Sequence, residues 1–149
     1  MNFQKINFLV YGSNEFFIQR KHLVRLAKDS GFFNNIFEYK PKDLKKYKKD
    51  RYSKILQEKK GSGFWLWKYL FIKESLSHIE NGDILVYSDA GSSFNYNAKE
   101  KFYQYLDLLN ESETGNLRFR MKYIENQWTT REIFNFFNLD PYSDYGLSG

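Results

Sequence analysis

Asp89 stands near the end of "GDILVYSDAG", residues 82–91, and Lys68 closes "GSGFWLWK", residues 61–68. The carboxylate follows an apolar run and precedes Ala90 and Gly91, so the chain presents it where a strand leaves a sheet, beside neighbours small enough to admit a bulky ligand. An acid so placed can hold a hard divalent cation, Mn²⁺ or Mg²⁺, which in turn binds a diphosphate. Magnesium often needs only one or two protein carboxylates, because phosphate oxygens and water complete its shell. A turn or helix-capping aspartate is the competing reading. In residues 61–68, two glycines let the backbone approach a ligand, Trp65 and Trp67 offer flat stacking faces, and Lys68 is a point charge suited to phosphate. The plainer reading is a glycine turn followed by core tryptophans. Neither stretch has the spacing of a phosphate-cradling P-loop or of a dinucleotide fingerprint.

Several elements must position these groups. "KINFLVYGS" reads as a buried strand over Ile6 to Tyr11 that ends in Gly12 and Ser13. "NEFFIQRKHLVRLAKDSG" follows as a helix, with apolar positions 16, 17, 23, 26 and 27 and Gly31 as its C-terminal cap. "FFNNIFEYK" reads as a second strand. Pro41 and Asp43 begin a basic helix whose apolar face is Leu44, Tyr47, Ile55 and Leu56, and residues 65–82 form a third helix stopped at Asn81 and Gly82. A strand over 83–88 comes next. Residues 97–110 read as a helix, "LRFRMKYIE" as a strand, "TTREIFNFFNL" as a short helix and the last nine residues as turn-forming, without a closing element. This alternation predicts an α/β fold with a mainly parallel central sheet and helices on both faces. Ligands on such sheets bind beyond the carboxyl ends of the strands, so the "YGS" and "SDAG" loops are expected to meet.

The 149 residues fit one domain able to bury a real core. With 28% charged but 20% aromatic residues the chain is not composed like a disordered one, and the aromatic excess needs a structural use. There is no cysteine, which excludes disulfides, thiolate zinc sites and cysteine nucleophiles and suits a reducing compartment, so the expected location is cytoplasmic. No run of eighteen apolar residues occurs, and no transmembrane segment is expected. The net charge of +5 is local: residues 40–60 hold ten Lys or Arg against Asp43, Asp50 and Glu58, a segment charge of +7 that leaves −2 for the rest. Such a run is usually a solvated face, although Arg51 or Lys54 could help neutralise a diphosphate. His22 and His78 lie far apart on predicted helices without a neighbouring ligand set.

Taken together, "GSGFWLWKYLFIKESLSHIENGDILVYSDAGSSF" resembles the central block of bacterial and viral nucleotide-sugar glycosyltransferases of the GT-A fold. In that group a Gly-x-Gly-aromatic-Trp-x-Trp-Lys segment precedes a helix, a Gly-Asp turn and a Tyr-x-Asp-Ala-Gly strand end. The likeness is strongest over residues 61–94, extends upstream to "FLVYGS" and returns at "ENQWTTREIF".

The resemblance implies a Rossmann-like GT-A fold, a nucleotide sugar (UDP-, GDP- or dTDP-linked) as donor, a glycan or other acceptor, and Mn²⁺ or Mg²⁺ as cofactor, in polysaccharide biosynthesis. Tyr11, Gly12 and Ser13 match the loop that receives base and ribose. Lys68 matches a basic residue contacting the donor's diphosphate or sugar, Asp89 the first acid of a metal-binding Asp-x-Asp motif, and Trp65 and Trp67 its aromatic segment, with packing as the competing role. Glu125 and Trp128 match a later loop near the sugar or acceptor, and Glu125 is the candidate base if the reaction inverts configuration. The sequence departs from the pattern at three positions: Gly91 where the second carboxylate belongs, Tyr69 for a frequent proline, and Thr130 for a frequent lysine. The acceptor-binding half is expected to be incomplete, so an inactive nucleotide-sugar-binding fragment is one alternative. The other is a nucleic-acid-binding module using the basic 40–60 helix; against it, the positive charge sits in one segment, and no nucleic acid is expected as partner.

Overall fold

The computed structural model describes residues 4–49, 51–142 and 146–148. The chain divides into two compact units, residues 1–96 and residues 97–149.

The first unit is mixed α/β. Its strands β1 (Ile6–Tyr11), β2 (Asn35–Tyr39) and β3 (Ile84–Tyr87) form one parallel sheet in the order β2-β1-β3. The central strand is buried along nearly its whole length, as its unbroken apolar run requires. Its alternation splits the core. Phe8 and Val10 pack with Leu23, Val24 and Ala27 of helix α1 (Phe17–Ser30), and with Ala90. Leu9 and Tyr11 pack with Leu44, Leu56, Trp67, Leu70 and Phe71 on the opposite face. Full burial of Phe8, Leu9 and Val10 contributes roughly 1.5–3 kcal/mol each. Register is pinned by a buried amide: Asn7 donates to the Ile84 carbonyl at 3.1 Å and accepts from Asn35 at 2.7 Å, linking all three strands. The aromatic excess is used here, in a stack of Tyr39 on Phe71 at 4.1 Å and a cluster of Phe8, Phe33 and Phe94.

Helix α1 ends on Gly31 in the left-handed conformation at φ 66°, as a C-terminal glycine cap should. Its inner face differs from the expected stripe. Phe16 and Phe17 are exposed, whereas Arg20 is buried with Leu23, Val24 and Ala27. The basic helix expected after Pro41 is instead a 3₁₀ stretch, Pro41–Lys49, followed by a single turn of helix, α2 (Ser53–Leu56). Leu44 and Leu56 are buried, Tyr47 is half-buried and Ile55 is exposed. Winding at about three residues per turn brings Leu44 and Tyr47 onto one side but breaks the continuous stripe that would have carried Ile55 inward. The third helix, α3 (Leu66–Leu76), stops short of the expected Asn81 and Gly82. The Ser77 hydroxyl bonds the Glu74 carbonyl and the His78 ring nitrogen lies against the same oxygen, both at 2.7 Å, and turns then run to Gly82 at φ 91°. Asp83 accepts the Lys5 amide at 2.9 Å and the Glu80 amide at 3.2 Å, so β3 starts level with β1.

The second unit holds helix α4 (Lys99–Asn110), strands β4 (Arg120–Ile124) and β5 (Gly146–Ser148), and helix α5 (Arg131–Phe136). The C-terminal residues were expected to be turns alone; residues 146–148 instead pair antiparallel with β4, their glycine and serine composition having masked a pairing partner. Leu106 and Phe134 are buried, and Tyr105 packs edge-on against Phe119 at 5.1 Å. Among the described residues no helix is long and apolar enough to cross a membrane.

Candidate functional site

The loops leaving β1 and β3 meet. A Cβ built on Gly12 would lie 3.3 Å from the Ala90 Cβ and 3.2 Å from the Phe16 carbonyl, so only small residues allow this approach. Tyr11, Gly12, Ser13, Trp65, Trp67, Lys68, Asp89, Ala90 and Gly91 line one cavity of about 460 Å³, within the size range of small-molecule sites. All nine residues singled out in the sequence around the two strand ends are therefore brought together. Glu125 lies in the second unit, where its carboxylate accepts a hydrogen bond from the Thr129 hydroxyl, and Trp128 packs its ring 5.5 Å from Tyr123 in the same unit.

Asp89 follows β3 directly, and its backbone carbonyl accepts the Ser92 amide in a turn at 3.0 Å. Its carboxylate takes no part in that turn. One oxygen lies 3.1 Å from the Lys68 ammonium and also accepts the Tyr87 hydroxyl; the other is 3.4 Å from Lys68. The side chain remains 62% exposed, open to the cavity. Burial, then the hydrogen bond and charge of Asp89, push the Tyr87 phenol well above its usual range, so it stays a donor to that carboxylate. Lys68 also lies over the rings of Trp67 and Tyr87, at 5.6 and 5.3 Å from their centres, which fixes its ammonium between two aromatic walls.

The glycine-tryptophan segment is built differently from the expectation of a backbone that opens toward a ligand. Residues 61–65 all have positive φ, making a short left-handed turn. Ser62, Phe64 and Trp65 carry side chains in that conformation, at roughly 1–2 kcal/mol each. Amide bonds from Phe64 to the Lys60 carbonyl (2.8 Å), Gly63 to Glu58 (2.9 Å) and Trp65 to Gly61 (3.1 Å) offset that strain, and the Trp67 indole donates to the Gly61 carbonyl at 3.0 Å. The protein itself fills the space the glycines leave. A Cβ on Gly61 would meet the Trp65 ring at 2.6 Å, and one on Gly63 would meet the Leu56 Cα at 2.9 Å. Trp67 is buried against Tyr11, ring centres 4.3 Å apart, and serves as a wall. The ring of Trp65 is half exposed and offers a flat face at the cavity. Gly91 has open space where a Cβ would stand, so room for a ligand does not depend on its lacking one.

Sequence reasoning missed Arg20. Its side chain is 3% exposed, donates to the Gly12 carbonyl, and pairs with Glu38 of β2 at 3.0 Å. Burial alone would raise the Glu38 carboxyl, but the bonds from Arg20 and Lys21 hold it below its usual value. Arg20 thus fixes the loop after β1 to the next strand. Lys59 and Ser62 also line the cavity. Lys59 was read as part of a solvated basic run, and Ser62, which hydrogen-bonds the Tyr11 hydroxyl, lay unremarked between two glycines.

Among the described residues no three His, Asp or Glu side chains cluster to hold a metal ion. Two carboxylates line the cavity, Asp89 and Glu15, and one or two such ligands suit Mg²⁺ or Mn²⁺ when phosphate oxygens and water supply the rest. Compared with known proteins, the chain matches no family model, no curated protein and no solved structure.

Proposed function

We propose that the cavity between the β1 and β3 loops is the donor site of a glycosyltransferase, taking a nucleotide-diphosphate sugar and passing the sugar to a glycan or other acceptor. The observation that carries this reading is the Lys68–Asp89 pair at the mouth of two abutting strand-end loops, beside an exposed indole face. The fold is read as GT-A; the parallel order of the three strands, with the β1 and β3 loops meeting beyond their carboxyl ends, supports that reading.

In this reading Trp65 stacks on base or sugar, Tyr11, Gly12 and Ser13 receive the nucleoside, and Lys68 lies against the diphosphate. The acceptor hydroxyl oxygen forms a bond to the anomeric carbon while the bond from that carbon to the β-phosphate oxygen breaks. The nucleoside diphosphate departs with the electron pair, and Lys68 offsets the negative charge that grows on it. Mn²⁺ or Mg²⁺ held by Asp89 would supply further charge neutralisation at the diphosphate. Tyr87 orients Asp89 through its hydroxyl. The proton of the acceptor hydroxyl passes to the departing diphosphate or to water. The absence of cysteine suits a cytoplasmic setting, which we adopt.

The test is thermal stabilisation by UDP, GDP, dTDP and their sugars, with and without Mn²⁺, in the parent protein and in Asp89→Ala. A cation-dependent shift in the parent that is lost in the variant supports the reading. Equal shifts in the two proteins remove Asp89 from the site, and no shift with any nucleotide removes the donor site altogether.

A further inference from the structure

A second recess, an open groove of about 860 Å³, runs along another side of α3. One wall carries Lys46 and Arg51, the other Tyr69 and Lys73. Tyr69, Lys73 and Ser77 recur every fourth residue, a row about 12 Å long at 1.5 Å per residue. The acid described in its lining is Glu74, and it is already engaged by Lys46 and by the Tyr47 hydroxyl at 2.6 Å. Among the described lining residues are three cations and one carboxylate, itself paired with Lys46, and Lys73 forms no ion pair among the described residues. The complementary occupant is an anion, and the length of the row suits a chain rather than a single ion.

Chains of bases and chains of sugars make different demands on such a groove. Single-stranded nucleic acid is held without sequence preference by cations together with aromatic faces on which successive bases stack. Here the rings are turned away from that use. The Arg51 guanidinium lies over Tyr52 at 4.7 Å, Lys73 lies over Tyr69 at 5.8 Å, and the two rings stand edge to face, 68° apart at 6.5 Å. Among the described residues no parallel pair of rings lines the groove. What it offers instead is spaced positive charge and the exposed Tyr69 hydroxyl, which match a hydroxyl-rich anionic chain. Its position has a further consequence. Tyr69 directly follows Lys68 in the first turn of α3, so the groove begins about one helix width, ~10–12 Å, from the Lys68–Asp89 pair.

We propose that this groove binds an anionic oligosaccharide, sugar units bearing carboxylate or phosphate groups, as the acceptor chain of the transfer. The acceptor role rests on the donor reading above; the binding of an anionic sugar chain does not. The experiment titrates the intact protein with fluorescent hexagalacturonate, with neutral maltohexaose, and with a thymidine hexanucleotide, at rising sodium chloride. Hexagalacturonate is expected to bind, more weakly as salt rises, and maltohexaose not to bind. Lys73→Glu should weaken hexagalacturonate binding about tenfold, the effect of losing one exposed attraction and gaining one like-charge repulsion, while Lys73→Arg retains it. Lys73 is exposed, and an unchanged UDP-induced thermal shift in Lys73→Glu would show that the fold and the first cavity are intact. Equal binding of maltohexaose, unchanged affinity in Lys73→Glu, or preference for the hexanucleotide would overturn the proposal. Hexagalacturonate binding without any nucleotide shift would uphold the anionic-sugar groove and defeat the donor reading.

Discussion

Replacing Arg20 by Met leaves a side chain of similar length in its buried position but removes the cation that joins the Gly12 carbonyl to Glu38. Losing one partner of a buried ion pair costs about 3–5 kcal/mol, because the remaining charge stays where water cannot reach it. Glu38 is 17% exposed and keeps Lys21 at 3.3 Å and Lys40 at 3.9 Å, both partly exposed and therefore weak substitutes. The lower end of the range applies, about 3 kcal/mol, against a typical total of roughly 5–15 kcal/mol. For a chain of this size the melting temperature should fall by about 6–12 °C. Urea titration and thermal melts followed by circular dichroism measure the loss. Arg20→Met combined with Glu38→Gln should regain part of it, since the stranded carboxylate is then neutral. Nucleotide-induced stabilisation should also weaken in Arg20→Met, because the loop after β1 is no longer held. A melting temperature within about 2 °C of the parent would refute the reasoning, since a pair that mattered cannot be removed for less than about 1 kcal/mol.

Three further outcomes are expected. Gly63→Ala should destabilise the protein by at least about 2 kcal/mol, because φ is +95° and the new Cβ meets the Leu56 backbone at 2.9 Å; Gly91→Ala, into open space, should stay within about 0.5 kcal/mol in the same urea titration. Gly91→Asp should increase the Mn²⁺ dependence of UDP-induced stabilisation by adding a second oxygen ligand two residues from Asp89, read as a larger difference between melts with and without Mn²⁺. Stability should decline as pH falls below about 5: the folded protein holds Glu38 and Glu74 below their ordinary values despite burial, so the stabilisation is complete above the unfolded-state pKa and is lost as pH drops through the folded one. Glu38→Gln should flatten that decline in acid titrations of the melting temperature.

Strands β1 and β3 and the meeting of their loops could be read from the sequence because each is a short apolar run closed by small residues, a pattern with few other uses. Asp89 and Lys68 were legible for the same reason, one at a strand end and the other at the start of a helix. Arg20 was not. A charged residue on an apolar helix face reads as solvent-exposed until its acid is found, and that acid, Glu38, is supplied by another strand. The left-handed turn also escaped, because two glycines announce positive φ but Ser62, Phe64 and Trp65 do not. The length of the basic helix was overestimated because Leu44, Tyr47, Ile55 and Leu56 fit a helical period that the 3₁₀ winding interrupts.

Gly61 and Gly63 share a motif, yet substitution should treat them as unlike positions. What stands against a side chain at Gly61 is chiefly the Trp65 ring, the tip of an exposed residue, so a chain that lost the indole could accept asparagine at 61. Gly63 is opposed by main chain, which no neighbouring exchange can remove. Libraries randomised at both glycines and at position 65 should therefore return Gly61 and Trp65 as a covarying couple, and Gly63 as invariant whatever its companions.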